Sequence, residues 1–200
     1  FTTISTGGFS SYDDSFANFD SDKILVIGIV FMILGSLPFL VIAKTNFKNP
    51  FATFQDQQVK IFLLVLLISI FLIYFFAHNY LIGSEIKKIV SISFNTISII
   101  SGTGFISENF EGWGNYASIL FLILMFIGGC AGSTTGGLKI FRFQILFKFI
   151  AIHLKKMLQP HAVIASHFNG RKIEDTTYDS VMIFFFLYII TFAISALLLS

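Results

Sequence analysis

Charge is scarce in this sequence. Of its 200 residues, 13 are Lys or Arg and 11 are Asp or Glu, 12% in all, against the roughly 25% typical of a soluble domain. A surface so poor in charge calls for lipid as its solvent. Cysteine is almost absent, and Cys130 alone excludes a disulfide framework within the chain. The four histidines are scattered, with neither HExxH nor Cys/His spacing, so no metal site is expected. A formal net charge of +2 is too small to point to nucleic acid. No nucleophile–base pair, phosphate-binding loop or intramembrane carboxylate pair is visible, so neither an enzyme nor a bound cofactor is expected. No signal peptide is visible in these residues. It starts at Phe1 on a polar run and stops at Ser200 inside an apolar one, as a piece of a longer protein would.

Long apolar runs are what the sequence has instead. About 20 apolar residues cross the hydrocarbon core of a bilayer. Ile24–Ala43, Ile61–Ile82, Tyr116–Leu138 and Val181–Ser200 each qualify and carry no Asp, Glu, Lys or Arg. Ile89–Ile106 is uncharged too, but its Ser, Thr, Asn and Gly content suits a re-entrant element better than a span. The basic residues set an orientation. Lys44, Lys48 and Lys60 lie between the first two spans, and Lys139, Arg142, Lys148, Lys155, Lys156, Arg171 and Lys172 follow the third. The positive-inside rule makes both loops cytoplasmic. Asp13, Asp14, Asp20, Asp22, Glu85, Glu108 and Glu111 then lie outside, mostly as solvated linkers. With the second span ending outside and the third starting there, the 89–106 stretch must enter and leave on the outer side.

The chain also repeats itself. At an offset of 96 residues, FTTISTGGFS aligns with ISIISGTGFI, so that Ile4, Ser5, Gly8 and Phe9 match Ile100, Ser101, Gly104 and Phe105. Each copy leads into an acidic linker and a span, the pattern of pseudo-symmetry around a shared site. Backbone at membrane depth must be buried in protein or line a watery cavity. Glycine allows the positive φ that turns successive carbonyls to one side, and a ring of carbonyls can replace the hydration shell of a cation. The candidate ion-binding residues are therefore Ser5, Thr6, Gly7 and Gly8, and Ser101, Gly102, Thr103 and Gly104.

A third motif, Gly128-Gly129-Cys130-Ala131-Gly132-Ser133-Thr134-Thr135-Gly136-Gly137, sits in the third span. Gly128, Gly132 and Gly136 fit close helix packing. The doublets 128–129 and 136–137 exceed what packing requires and favour an irregular break lined by Ser133, Thr134 and Thr135. Cys130 reads as a small packing residue, and Lys139 and Arg142 as topology determinants, with a role near a pore mouth also open. The basic stretch His153–Lys172 suits anionic lipid heads or a cytoplasmic partner.

The segment Phe126–Arg142, FIGGCAGSTTGGLKIFR, closely resembles the broken third-repeat helix of the Trk/Ktr/HKT superfamily of potassium transporters, and its Gly-Gly-Cys-Ala form resembles the TrkH branch. Ser5–Phe9 and Ser101–Phe105 are similar to that family's second and third filter loops, and Gln159–Val163 to its His-Pro-x-Ala-Val motif, with Gln at the first position. The resemblance implies an all-α polytopic membrane protein of four helix–pore loop–helix repeats around one central pore. It makes 1–43 the end of the second repeat, 44–60 a cytoplasmic loop, 61–158 the third repeat, 159–180 a cytoplasmic linker and 181–200 the start of the fourth. It implies potassium held by carbonyls near Gly8 and Gly104, a gating loop over Gly128–Gly137 with Lys139, and residence in a bacterial cytoplasmic membrane. It also implies a homodimer and a cytoplasmic nucleotide-binding regulatory subunit. Gly7 departs from the branched residue usual in that filter loop, which would loosen selection against sodium. A Ktr-like or sodium-permeable transporter is the alternative within transport, and a non-conducting membrane scaffold the alternative outside it.

Overall fold

The computed structural model describes residues 1–19, 21–43, 52–159, 167–169 and 171–199. Asp20, Lys44, Lys48, Ser200 and the Pro160–Val163 part of the Gln159 motif lie outside the described residues. Among the described residues, eight α-helices follow one another: α1 Asp22–Ser36, α2 Phe39–Ala43, α3 Ala52–Gln55, α4 Gln57–Ala77, α5 Glu85–Ile100, α6 Asn115–Met125, α7 Ile140–Leu158 and α8 Asp175–Leu199. Among the described residues, β pairing is confined to one two-residue antiparallel pair, His167–Phe168 with Arg171–Lys172, and an isolated parallel bridge between Ile127 and Leu138. The chain divides into two compact units, Phe1–Ile140 and Phe141–Ser200.

In the first unit α5 is the centre, packed by α1, α4 and α6. Helix α4 begins where the Asp56 carboxylate accepts a hydrogen bond from Gln58 N at 2.7 Å, an N-cap. It buries Val59, Phe62, Leu66, Ser69, Ile73 and Ala77 at three- and four-residue spacing, while Leu64, Leu67, Ile68, Phe71 and Phe75 face outward. Lipid is as apolar as those outward side chains, so close packing and internal hydrogen bonds hold this unit together more than transfer out of water does. The Phe94 ring of α5 is fully buried and lies over Gly28 of α1, and the Phe16 ring packs at a tilt against both Phe94 and Phe105.

Three expected spans change shape. The first is interrupted: α1 stops at Ser36 because Pro38 drives Leu37 out of the helical region, to φ −85° and ψ 155°. The third is a helix only to Met125, after which the backbone is irregular up to Ile140. The fourth starts earlier than Val181, since α8 already runs from Asp175. The stretch expected to be re-entrant lies on a helix from Glu85 to Ile100, followed by a turn and an irregular return. Among the described residues, two helices are long and apolar enough to cross a membrane, Gln57–Tyr80 and Thr176–Leu199.

The joint between α4 and α5 holds a compact charged cluster. The Glu85 carboxylate accepts from Tyr74 Oη at 2.8 Å and from Lys88 Nζ at 3.1 Å, and lies 3.0 Å from His78 Nε2. The Tyr74 hydrogen bond first, and Lys88 next, hold the carboxyl down to about 2 from its ordinary 4.5. A depressed carboxylate stabilises the folded state above its unfolded value, and that contribution is lost as pH falls through the folded one. The joint is therefore expected to loosen between about pH 4.5 and 2. The measurement is hydrogen exchange of the 84–88 amides against pH. Glu85→Gln should flatten that dependence, and an unchanged profile in this variant would refute the assignment. Because the group is exposed, the effect should be small and salt-sensitive.

The second unit packs Ile145, Ile173, Tyr178 and Val181 into a core of its own. There the Arg142 guanidinium lies 3.8 Å over the Phe184 ring, and the Phe149 and Tyr178 rings are 5.4 Å apart.

Candidate functional site: two glycine turns and the loop against them

The two repeated turns share one backbone construction. At the end of α5, Thr103 N donates to Ser98 O at 2.9 Å and Gly102 N to Ile99 O at 3.0 Å. That is a Schellman closure with Gly102 at φ +68° in the left-handed position. At the same 96-residue offset, Gly7 N donates to Thr2 O at 2.8 Å and Thr6 N to Thr3 O at 3.3 Å, with Thr6 at φ +50°. Two residues on, Gly8 and Gly104 take φ +69° and +81°, whereas Gly7 and Thr103 between the paired positions are not left-handed. Left-handed residues alternating with ordinary ones can turn neighbouring carbonyls to one side. Ser101, Thr103 and Phe105 are buried while Gly102, Gly104 and Ile106 are exposed, so one edge of the returning strand is open. The carbonyl end of α5 points into this region and favours positive charge there.

The two turns meet. A Cβ added to Gly8 would land on the Thr103 carbonyl oxygen. The hydroxyls are committed to structure: Ser5 Oγ donates to Phe1 O, Ser98 Oγ to Phe105 O, and Ser101 Oγ lies 2.7 Å from Thr103 Oγ1. These hydroxyls thus help hold the turns in shape.

The glycine-rich stretch is an ordered loop closed on itself. Gly128 N donates to Leu138 O and Leu138 N to Phe126 O, at 2.9 and 3.1 Å. Gly129 N donates to Thr135 Oγ1, and Ser133 Oγ to Cys130 O. A Cβ on Gly128 would meet the Gly136 carbonyl, so these glycines pack the two arms of one loop together instead of packing a helix against its neighbour. Ala131 N donates to Gln58 Oε1 of α4 at 2.9 Å, and Lys139 Nζ to Ser133 O at 3.2 Å.

The loop docks on the interruption of α1. A helix leaves its last carbonyls without intrahelical partners. Here Ser36 O accepts from Cys130 N at 3.0 Å and Gly35 O from Thr134 N at 3.2 Å, while Phe39 N donates back to Gly132 O at 3.1 Å. Each broken segment supplies what the other lacks, as backbone away from water requires. Thr134 Oγ1 lies 3.1 Å from Ile4 O, 3.0 Å from Gly35 O and 3.3 Å from Thr6 Oγ1, where the Thr6 hydroxyl donates to it. All three sequence motifs therefore lie in one cluster. The sequence reading missed Gly35, Ser36, Pro38 and Gln58. Pro38 inside an apolar run was the available signal.

The family model for TrkH, described as a cation transport protein, matches residues 1–200. The chain belongs to the TrkH family. The Trk system potassium uptake protein TrkI of Halomonas elongata is 33% identical over 201 residues, which is 100% of this chain and 40% of that protein. The Trk system potassium uptake protein TrkH of Vibrio parahaemolyticus is 34% identical over 208 residues, 98% of this chain and 41% of the relative. The crystal structure of the potassium transporter TrkH from Vibrio parahaemolyticus superposes with a TM-score of 0.88 at 28% identity, covering 96% of this chain and 42% of that one. The chain thus spans about two fifths of the length of the relatives it matches. Its fold is that of an all-α polytopic membrane transporter of the TrkH family.

Proposed function

We propose that the full-length protein takes up potassium across a bacterial cytoplasmic membrane, and that this chain supplies two of four filter loops together with the gating loop. The observation that carries this reading is the pair of similarly built turns, left-handed at Thr6 and Gly8 and at Gly102 and Gly104, lying side by side. Ser5–Gly8 and Ser101–Gly104 would present carbonyls to a dehydrated cation. The loop from Gly128 to Gly137, with Lys139 on its Ser133 carbonyl, would close the path and swing aside to open it. The same reading takes 1–43, 61–158 and 181–200 as repeat segments, with 44–60 and 159–180 as cytoplasmic connections.

The protein works as a transporter, not an enzyme, and needs no cofactor in this chain. Its partners are membrane lipid, a second copy of itself and a cytoplasmic nucleotide-binding regulatory subunit. Potassium uptake in the relatives' names and the shared fold support the reading. The test is growth in low potassium of a bacterial strain lacking potassium uptake, expressing the full-length parent with its regulatory subunit, and Gly104→Ser alongside. Rescue by the parent is expected, with the variant losing preference for potassium over sodium. A well-expressed parent that does not rescue would overturn the reading.

A further inference from the structure

The polar residues that make the Ile89–Ile106 stretch unsuited to lipid do not line the open edge of the turn. Ser91, Asn95 and Ser98 stand at i, i+4 and i+7 on α5, one face of the helix, and that face meets the strand returning from the turn. Ser98 Oγ donates to Phe105 O at 2.7 Å. Ser91 Oγ donates to Glu108 Oε2 at 2.9 Å and lies 3.3 Å from Ser107 Oγ. Between them the Asn95 amide, 1% exposed, accepts from Ser107 N at 3.1 Å and donates through Nδ2 to Glu108 O at 3.4 Å.

The orientation of this amide is forced. The Ser107 N–H needs an oxygen and the Glu108 carbonyl needs an N–H, and a primary amide offers both from one plane. Asp supplies only acceptors, Leu neither group, and Gln one methylene too many. On its other side the same strand is held at Ile106, whose carbonyl accepts from Ala17 N at 3.0 Å and whose N–H donates to Ser15 Oγ at 3.3 Å. Ser98, Asn95 and Ser91 all tie the returning segment to α5, and Asn95 is the one that brackets the backbone of two consecutive residues, three and four beyond Gly104.

We propose that Asn95 is a positioning residue for ion selection: by gripping Ser107 and Glu108 it sets how far the Gly102–Gly104 carbonyls stand from the pore axis. This rests on the filter reading above. Discrimination between potassium and sodium turns on sub-ångström differences in carbonyl distance or on how freely the carbonyls move. Releasing the strand changes both, without touching any group that contacts the ion. Thr96 supplies the matched control. It is equally buried, but its hydroxyl donates to Ile92 O within α5 and makes no bond to the strand.

The experiment measures potassium and sodium flux in liposomes containing the full-length protein and its regulatory subunit, with assembly followed by size exclusion. Asn95→Leu should lower the potassium-to-sodium ratio by about tenfold, the scale of one or two lost part-buried hydrogen bonds, while potassium flux persists. Asn95→Asp, which keeps the Ser107 bond, should fall between, and Thr96→Val should match wild type. If Asn95→Leu does not assemble, Asn95→Asp alone decides. An assembled Asn95 variant with the wild-type ratio would sink the bracket while leaving the filter reading intact. So would a Thr96→Val drop equal to that of the Asn95 variants, since the loss would then be general to α5. A wild-type protein that passes both ions equally would sink the filter reading itself, and the bracket with it.

Discussion

Gly8→Ala in the full-length protein is expected to abolish selective potassium flux and to reduce assembly, whereas Gly104→Ala is expected to assemble nearly normally and lose selectivity only in part. Both glycines are left-handed, at φ +69° and +81°, and a side chain there costs about 1–2 kcal/mol. The surroundings separate them. A Cβ on Gly8 lands on the Thr103 carbonyl oxygen, while one on Gly104 meets no atom within 4 Å. Relieving the first overlap means moving one turn away from the other, a further cost of about 1–3 kcal/mol in packed protein. The total of about 2–5 kcal/mol for Gly8 is a large part of a typical domain's stability. Thermal unfolding in detergent together with rubidium uptake under sodium competition separates the two variants. Equal losses at both positions would mean that the turns do not touch as described.

A second large effect is expected at Pro38. Pro38→Ala removes what stops α1 and supplies an N–H where there was none. In a continued helix Phe39 N would bond Gly35 O and Leu40 N would bond Ser36 O, following the i to i−4 rule. Those carbonyls now hold Thr134 N and Cys130 N, and Phe39 N now holds Gly132 O. The loop would lose three backbone bonds at about 0.5–1.5 kcal/mol each. Such a loss would raise the undocked population roughly tenfold to a thousandfold. Under the proposed gating role, potassium should leak through the full-length protein in liposomes without its regulatory subunit. Hydrogen exchange at Cys130 and Thr134 should accelerate in parallel. Tight vesicles with both amides still protected would refute the docking account.

Legibility differed from element to element. The polarity of Ile89–Ile106 marked it as something other than a span, yet gave no hint that Ser91, Asn95 and Ser98 face the protein's own returning strand. That depends on a turn at Gly102 folding residues 103–108 back along α5. The glycine doublets pointed to a break near 128–137, and its partner at Leu37–Pro38 had only a local signal, one proline. The apolar run Tyr116–Leu138 read as long enough to span, but apolarity measures compatibility with lipid and not helicity, and α6 ends at Met125.

Composition, charge placement, the 96-residue repeat and the Phe126–Arg142 segment were enough to establish a membrane chain of the TrkH family, because solvent preference and local turn chemistry are properties of short stretches. Tertiary structure alone decided that Gly8 abuts Thr103, that the loop caps α1, and that Asn95 grips the strand beyond the turn. These pairings join residues up to about a hundred positions apart. A backbone N–H in lipid must find some carbonyl, but which carbonyl it finds is settled only when the helices have packed.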